Sequence, residues 1–191
     1  MLLNNVRLSF PKLFRAEAFQ PGQVKKYGAT LIVPKDHPQL GEIKAMIADA
    51  AAETWGEDWQ SVLKSLPSDK KGLRDGSEKA NLDGFGSGVL FFNATTDKRP
   101  GVYDRDQSPL VEDDGRPYAG CYVNAQIEAW AQNNQYGKRI NFTLRGVQFA
   151  EDGEAFGGGG APAAADEFPD LSGAPMAASA ASEPDGADDW L

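Results

Sequence analysis

Cysteine and histidine are nearly absent from this chain of 191 residues, which contains one of each, Cys121 and His37. A single cysteine cannot form an intramolecular disulfide, and one cysteine with one histidine cannot assemble a structural zinc site. No apolar run approaches the ~20 residues that a membrane-spanning helix needs, and the first residues lack the pattern of a secretory signal. We therefore expect a cytosolic protein without a disulfide framework, a bound metal or a membrane anchor.

Lysine and arginine are missing from the last forty-one residues, which carry ten of the 28 acidic residues and none of the 19 basic ones. The net charge of -9 is therefore divided between a nearly neutral body and a strongly acidic tail. A uniformly acidic surface would repel phosphate, but a body of balanced charge can still bind a polyanion. Residues 1–150 are long enough for one domain with its own core. Residues 151–191, dominated by Gly, Ala, Pro, Ser and acidic residues, have the composition of a disordered tail.

The tail ends in two carboxylates, an aromatic residue and an aliphatic residue: Asp188, Asp189, Trp190 and Leu191. A tryptophan at the end of a segment with no core of its own is expected to bind a partner. A solubilising tail that happens to end in tryptophan is the alternative.

Alternating apolar residues predict five β-strands, over residues 2–10, 27–33, 89–93, 120–131 and 140–146. In the first strand we expect Leu2, Val6, Leu8 and Phe10 to share one face, and Pro11 to end the strand. The last two strands flank a turn-forming segment, residues 133–137, and predict an antiparallel hairpin with a bulge or bend at Gly146.

Helical spacing predicts a helix over residues 38–55 and a shorter one over residues 58–66, both between the second and third strands. Residues 67–88 are polar and rich in glycine, and predict a long loop. A turn-rich stretch over residues 95–117 follows the third strand. The fold class is therefore mainly β with an inserted helix. A five-stranded antiparallel Greek-key β-barrel fits the strand count, and an open antiparallel sandwich fits nearly as well.

The outward face of the predicted hairpin combines aromatic, amide and basic side chains. One strand presents Tyr122, Asn124, Gln126, Glu128 and Trp130, and the other presents Arg139, Asn141, Thr143 and Arg145, with Tyr136 and Lys138 at the turn. Bases stack on aromatic rings for about 1–3 kcal/mol each, while Arg and Lys bind the phosphates, so this face can bind a nucleic-acid strand. A helix or the partner of a homodimer covering the same face is an equally good interpretation.

Two further clusters place positive charge beside an aromatic ring in or near a loop. Lys98 and Arg99 precede Tyr103, and Lys25 and Lys26 precede Tyr27 at the start of the second predicted strand. We count all six as candidate DNA-binding residues.

The patterns typical of enzymes and cofactor sites are incomplete. The glycine-rich residues 84–88 lie in a polar loop and lack the Lys-Ser/Thr of a phosphate-binding loop. Asp104, Asp106 and Ser108 are spaced like the start of a calcium loop, but Pro109 stands where glycine is required. Cys121 falls on the apolar face of a strand, where a core position is expected. We therefore predict no catalysis, no cofactor and no metal.

Several segments resemble a family of bacteriophage single-stranded-DNA-binding proteins. They are residues 5–10, 31–35, 99–104, 118–122, 137–139 and 146–148, with residues 152–154 after them. The resemblance covers nearly the whole body and implies an OB-type barrel, a role in DNA replication or recombination, and no catalysis. The tail resembles the acidic, aromatic-ended C-termini of single-strand-binding proteins, although its last two residues, Trp190-Leu191, depart from the common bacterial ending.

The function hypothesis is a protein that binds single-stranded DNA (ssDNA) independently of sequence and protects replication intermediates. Its tail would recruit replication or recombination proteins and compete with DNA. The alternative is a non-catalytic interaction or assembly module that uses the same aromatic face for protein contacts.

Overall fold

The computed structural model describes residues 1–18, 22 and 24–157, which form one β-rich body with two helices. Short 3₁₀ turns connect several elements. The strands are β1 (Leu2–Glu17), β2 (Lys26–Pro34), β3 (Arg74–Asp75), β4 (Val89–Thr96), β5 (Gly101–Tyr103), β6 (Tyr122–Asn134) and β7 (Gly137–Glu151), and the helices are α1 (Leu40–Trp55) and α2 (Trp59–Ser65).

The five long strands pair in a circuit. The order runs β4, β2, β1, β6, β7, and β7 pairs again with β4. Every pairing in the circuit is antiparallel except the last, where Ala94 and Thr95 pair in parallel with Phe142 and Thr143. The short strands β3 and β5 extend the sheet beside β4 and β7. The mainly-β fold class with an inserted helix is confirmed.

The core lies between the inward faces of these strands and α1. On α1, Ile43, Ile47 and Ala51 are buried at the helical spacing expected from the sequence, and Gly56, at φ 65°, follows the helix. The indole Nε1 of Trp55 donates to the carbonyl of Gln132 at 3.2 Å, which ties the end of α1 to β6. Burial of the Ile43 and Ile47 side chains stabilises the fold by about 1.5–3 kcal/mol each.

The first strand departs from the expected pattern. It continues through Pro11 to Glu17, so the prediction that Pro11 ends it is wrong. Asn5 and Phe10 have left-handed backbones, with φ of 51° and 47°, and the pairing register shifts around both. These irregularities break the two-residue alternation. Leu3, Val6, Leu8 and Leu13 are therefore buried, whereas Leu2 and Phe10 are about half exposed.

Two regions expected to be loops contribute short strands. Residues 67–88 include β3, which pairs with β4, and residues 95–117 include β5, which pairs in parallel with β7. A strand of two or three residues is too short for its alternation to stand out from a loop.

The residues that follow β7 pack on the body. Strand β7 itself includes Glu151. The Tyr118 hydroxyl donates to Asp152 at 2.9 Å, and the backbone N–H of Phe156 donates to the carbonyl of Ala119 at 2.9 Å. The boundary expected at residue 150 thus lies within this packed region, which continues to Gly157. No described helix is long and apolar enough to span a membrane.

Candidate nucleic-acid interface

The hairpin of β6 and β7 presents the mixed aromatic and basic face expected from the sequence. Trp130 pairs with Asn141, and Gln132 pairs with Arg139, so their side chains are neighbours on the outward face. The opposite face buries Ile127, Ile140 and Leu144 in the core. Because paired residues share a face, burial of one side of the hairpin leaves the aromatic and basic side exposed. Trp130 is 46% exposed and Tyr136, at the turn, is 78% exposed.

A cleft beside this hairpin joins β7 to β4. The parallel pairing of the two strands brings Asn93 and Thr95 alongside Arg139 and Asn141. The segment before β3 closes the other side, where Gly72 lies so close to Ile140 that an added Cβ would come within 2.7 Å of its side chain. The cleft measures about 230 Å³. Its lining consists of Asp69, Gly72, Arg74, Asn93, Thr95, Arg139, Ile140, Asn141 and Phe142.

One hydrogen-bond donor in this cleft has no partner among the described residues. The amide Nδ2 of Asn141 is buried and makes no hydrogen bond within the described part of the chain. A buried polar group without a partner costs about 1–3 kcal/mol, so such groups are rare in proteins and are found at functional sites. Asn141 is therefore suited to donate to an acceptor supplied by a ligand.

The cations along β7 differ in their surroundings. Across residues 1–18, 22 and 24–157, Arg139 and Lys138 form no ion pair. Arg145, by contrast, is paired with Glu128 at 2.6 Å, with both side chains more than half exposed. Arg139 is free to bind a phosphate, whereas Arg145 must first leave a carboxylate.

The Lys25–Tyr27 cluster and the Lys98–Arg99 cluster lie at the same end of the sheet. Tyr27 pairs with Thr96, and Lys26 forms an ion pair with Asp97 at 3.2 Å. Lys25 and Lys98 are exposed, and the guanidinium of Arg99 lies 5.6 Å from the centre of the Phe14 ring. The β4–β7 register puts this end of the sheet level with Arg145, about 20 Å along β7 from Arg139 at ~3.3 Å per residue.

Tyr103 lies on the outward face, beyond Arg145. It pairs with Gln148, and its ring packs on Gly101, where an added Cβ would come within 2.7 Å of it. Tyr103 is 43% exposed.

Tyr122 is placed differently from the other candidate rings. It begins β6 and pairs with Glu151, at the end of the hairpin farthest from Tyr136. The guanidinium of Arg7 lies 5.5 Å from the centre of its ring and 4.5 Å from that of Phe156. The twelve residue steps of β6 separate Tyr122 from the hairpin tip by about 40 Å. Tyr122 and Tyr136 therefore cannot belong to one compact stacking patch.

Asn93 and Thr95 are residues of this interface that the sequence did not single out, and Arg74 is one whose charge the sequence assigned to a solvated loop. Asn93 lies at the end of a predicted strand, and Thr95 was assigned to a turn-rich stretch. Arg74 lay in a predicted loop. The alternation of Asn93 and Thr95 with the apolar Phe92 and Ala94 was the available signal, but only the β4–β7 pairing shows that these two residues meet Arg139 and Asn141. The tail residues Asp188, Asp189, Trp190 and Leu191 lie outside the described residues.

Cys121 is fully buried, and burial raises the pKa of its thiol to about 11. The thiolate, which is the nucleophilic form, is therefore disfavoured, and Cys121 is a core residue.

Comparisons with known proteins identify the family. The chain matches the family model described as "Enterobacter phage Enc34, ssDNA-binding protein" over residues 1–178. It is 45% identical over 174 residues to putative protein p50 of Acyrthosiphon pisum secondary endosymbiont phage 1, covering 89% of this chain and 92% of that protein.

The fold of this chain is also similar to solved structures. The single-stranded-DNA-binding protein of bacteriophage Enc34, in complex with ssDNA, has 32% identity and a TM-score of 0.67, over 82% of this chain and 88% of that one. The gp2.5 single-stranded-DNA-binding protein of bacteriophage T7, at 15% identity, has a TM-score of 0.53 over 83% and 87%, which shows similarity of fold alone. The resemblance expected from the sequence is confirmed, and the chain belongs to the phage ssDNA-binding protein family represented by that of Enterobacter phage Enc34.

Proposed function

We propose that this protein binds single-stranded DNA without reading its sequence. It coats and protects replication and recombination intermediates in the cytoplasm of the infected bacterial host, and it catalyses no reaction. The family and the ssDNA complex of a relative support binding of single strands. The polar and aromatic outward face of this chain supports it independently.

We also propose that the circuit of five strands is an OB-type barrel. The support is the closed order of pairings, in which β4 and β7 are parallel and all other neighbours are antiparallel. Small five-stranded barrels of this type bind oligonucleotides on one outer face.

The DNA strand lies along the outward face of β7, from Arg139 towards Arg145. The cleft supports this path, because Arg139 and the amide of Asn141 lie there beside Trp130. Within the described residues, Arg139 forms no ion pair and the Asn141 amide Nδ2 has no hydrogen-bond partner. Trp130 offers a stacking surface, Arg139 offers a phosphate contact, and Asn141 offers a donor that any base carbonyl or phosphate oxygen can accept. Tyr136 and Lys138 at the turn extend the path at one end. Lys25, Lys26, Lys98, Arg99 and Tyr103 extend it at the other.

The acidic tail has two roles in this proposal. Its last residues, Asp188 to Leu191, recruit replication or recombination proteins, and its negative charge competes with DNA for the basic face. The support is the segregation of charge in the sequence, with no basic residue after residue 150.

Equilibrium binding of labelled oligo(dT), compared with a duplex of equal length, tests the proposed function. We expect tighter binding of the single strand, and an affinity that falls with salt by a log–log slope of about -0.7 per phosphate contact. Trp130→Ala should weaken binding by about 1–3 kcal/mol.

Lys44→Ala, which removes an exposed cation from α1, is the matched control for an Arg139→Ala variant. It should bind oligo(dT) like the unchanged protein. Salt-independent binding would instead favour a protein-interaction module that uses the same face. Equal affinity of the Trp130→Ala variant and the unchanged protein would show that Trp130 does not stack on a base.

A further inference from the structure

A second cluster of aromatic rings and cations lies at the break in β1, away from the hairpin. The ammonium of Lys79 is 5.3 Å from the ring centres of Phe10 and Phe85 and 4.9 Å from that of Phe91. The rings of Phe10 and Phe85 are 6.4 Å apart, and Phe85 meets Phe91 edge-on at 5.2 Å. Phe10 remains 47% exposed. A large exposed ring beneath a cation is not needed to fill the core, because it leaves half of its apolar surface in water.

A groove of about 240 Å³ opens beside Phe10. It lies below the ~300–1,000 Å³ of pockets that hold drug-sized ligands, so it is suited to one flat ring. Its walls are mostly apolar. They are formed by Ser9, Phe10, Leu82, Asp83, Ala119 and Phe156, with Gly157 at the edge.

The charges around this groove favour an anionic occupant. Lys79 and Arg7 are not ion-paired in the described part of the chain. Arg7 lies against Phe156 and donates to the backbone carbonyls of Gly120 and Glu154. Of the nearby carboxylates, Glu78 is paired with Arg74, and Asp83, which accepts from the N–H of Gly157, sets a single negative charge against the two cations. Exposed rings flanked by cations that form no ion pair with any described residue match the stacking and phosphate contacts of single-stranded nucleic acid.

The backbone of Phe10 supports a functional role for its position. Its φ of 47° lies in the left-handed region, which is unfavourable for a bulky side chain, and the β1–β2 register is broken between Ser9 and Lys12. Strain of this kind costs about 1–3 kcal/mol and is concentrated at functional sites. The break is what turns the Phe10 ring out of the core and into the groove.

The groove and the β4–β7 cleft open on the same side of the sheet. Ser9 pairs with Thr30, and Thr30 pairs with Asn93, whose amide oxygen accepts from the Thr30 hydroxyl at 2.6 Å. Ser9 lines the groove and Asn93 lines the cleft, two strand spacings or about 10 Å apart. The segment between the two carries Arg74 and Lys79, so a strand that crosses it passes over two cations.

We propose that Phe10 and its groove form a second base-binding subsite, in which a base stacks on Phe10 while Lys79 binds an adjacent phosphate. The subsite rests on the proposed function, because it extends the strand bound at Trp130, Arg139 and Asn141 across the loop that carries Lys79. A DNA strand too short to cross the loop occupies the cleft alone.

A length series of oligo(dT), from about 4 to 16 nucleotides, tests this subsite on the full-length protein. Phe10→Asn is the variant of choice, because asparagine tolerates the left-handed backbone while it removes the ring. We expect unchanged affinity for the shortest oligonucleotides and a loss of about 5- to 140-fold for the longest, the equivalent of about 1–3 kcal/mol for one stacked base. Lys79→Gln should lower the salt slope by about 0.7 for the long oligonucleotides only.

Leu2→Asn is the matched control, because Leu2 is an exposed apolar residue of the same strand. It should bind all lengths like the unchanged protein. Unchanged affinity of Phe10→Asn for every length, or an equal loss at every length, overturns the proposed subsite. If Phe10→Asn does not fold, as judged by its thermal unfolding, the salt slope of Lys79→Gln decides by itself. Arg139→Ala separates the two proposals, because it should weaken binding at all lengths whether or not the subsite exists.

Discussion

At the scale of single residues, the environment of each cation decides how much it can contribute to DNA binding. Arg139 has no carboxylate partner in the described chain, whereas Arg145 is bound to Glu128. An exposed ion pair is worth about 0–1 kcal/mol, and that small stabilisation is lost when a phosphate displaces the carboxylate. The two arginines, equivalent in the sequence pattern, are therefore not equivalent in the folded protein.

We predict that Arg139→Ala lowers the slope of log affinity against log salt by about 0.7, and that Arg145→Ala lowers it by less. Glu128→Gln should tighten binding of oligo(dT), because it releases Arg145 and removes a negative charge from the DNA path. Titrations of the three variants at several salt concentrations measure these effects. Weaker binding by Glu128→Gln would show that Arg145 does not contact phosphate.

Cys121 provides a second test at this scale. Its thiol is buried, and its pKa is raised from an ordinary value of 9.0 to about 11, mainly because burial disfavours the thiolate. The folded state therefore keeps the thiol proton that the unfolded state releases above pH 9. The contribution of Cys121 to the free energy of unfolding is complete below pH 9 and is lost between pH 9 and 11.

We predict that the free energy of unfolding, measured with urea, falls over this pH range and that Cys121→Ala reduces the fall. In the folded protein at pH 8, Cys121 should react slowly with a thiol reagent and should react rapidly once urea unfolds the chain. Rapid labelling without urea would contradict the buried position.

The candidate aromatic rings show what strand alternation in the sequence can and cannot predict about a residue's surroundings. Alternation correctly placed Trp130 on an exposed face, and Tyr136 is exposed at the turn. It also grouped Tyr122 with them, although Tyr122 lies at the far end of the hairpin against Arg7. Strand periodicity gives the face of a residue but not its neighbours across other elements, and the Arg7 contact comes from a strand more than a hundred residues away. Whether these rings bind DNA stays a prediction.

At the scale of elements, strong periodicity was predicted well and local backbone irregularity was not. The hairpin and α1 appear at the expected positions, because each presents a long and regular apolar face. The bulge in the hairpin falls where Gly146 indicated, since Gln126 pairs with Gly146 and Ile127 with Leu144, which leaves Arg145 as the extra residue. In β1, left-handed residues at Asn5 and Phe10 broke the predicted alternation, so that Leu2 and Phe10 are exposed while Val6 and Leu8 are buried, and neither left-handed residue is a glycine that would have marked the site.

The segment after β7 is held in place by its close approach to Gly120. At φ 105°, Gly120 lies against the backbone of Glu154, and a Cβ there would overlap the Glu154 carbonyl. We predict that Gly120→Ala lowers the thermal unfolding temperature markedly, because it adds backbone strain and separates the segment from β6.

Gly41→Ala in α1 is the matched control, since a Cβ there meets nothing within 4 Å and alanine favours helix by about 0.5–1 kcal/mol. It should leave the unfolding temperature unchanged or raise it slightly. Equal unfolding temperatures for both variants would show that the segment after β7 contributes little to stability.

At the scale of the whole molecule, the closed order of the strands came from pairings that no local pattern encodes. The sequence could predict five strands and an inserted helix, and it left a barrel and an open sandwich as alternatives. The parallel pairing of β4 with β7 joins residues almost fifty positions apart, and the same pairing builds the cleft. The β4–β7 pairing and the lining residues Asn93 and Thr95, which sequence reasoning missed, therefore have one common cause.

The charge of the whole chain leads to the last prediction. Residues 158–191 hold seven of the 28 acidic residues and no basic one, whereas residues 152–157 carry contacts of Arg7 and Tyr118. Truncation after Gly157 should therefore keep the body stable and tighten ssDNA binding, most strongly at low salt, where a charged competitor is least screened. Truncation after residue 150 should instead lower the unfolding temperature, because it removes Phe156 from Arg7.

Removal of Trp190 and Leu191 alone separates the two roles proposed for the tail. It leaves all of the acidic side chains, so affinity for oligo(dT) should stay nearly unchanged while recruitment of a replication partner is lost. Binding titrations at low and high salt, with pull-downs from infected cells, measure the two effects on the same three variants. Equal DNA affinity with and without residues 158–191 at low salt would exclude competition by the tail, because a chain of that charge cannot occupy a basic face without weakening the binding of a polyanion there.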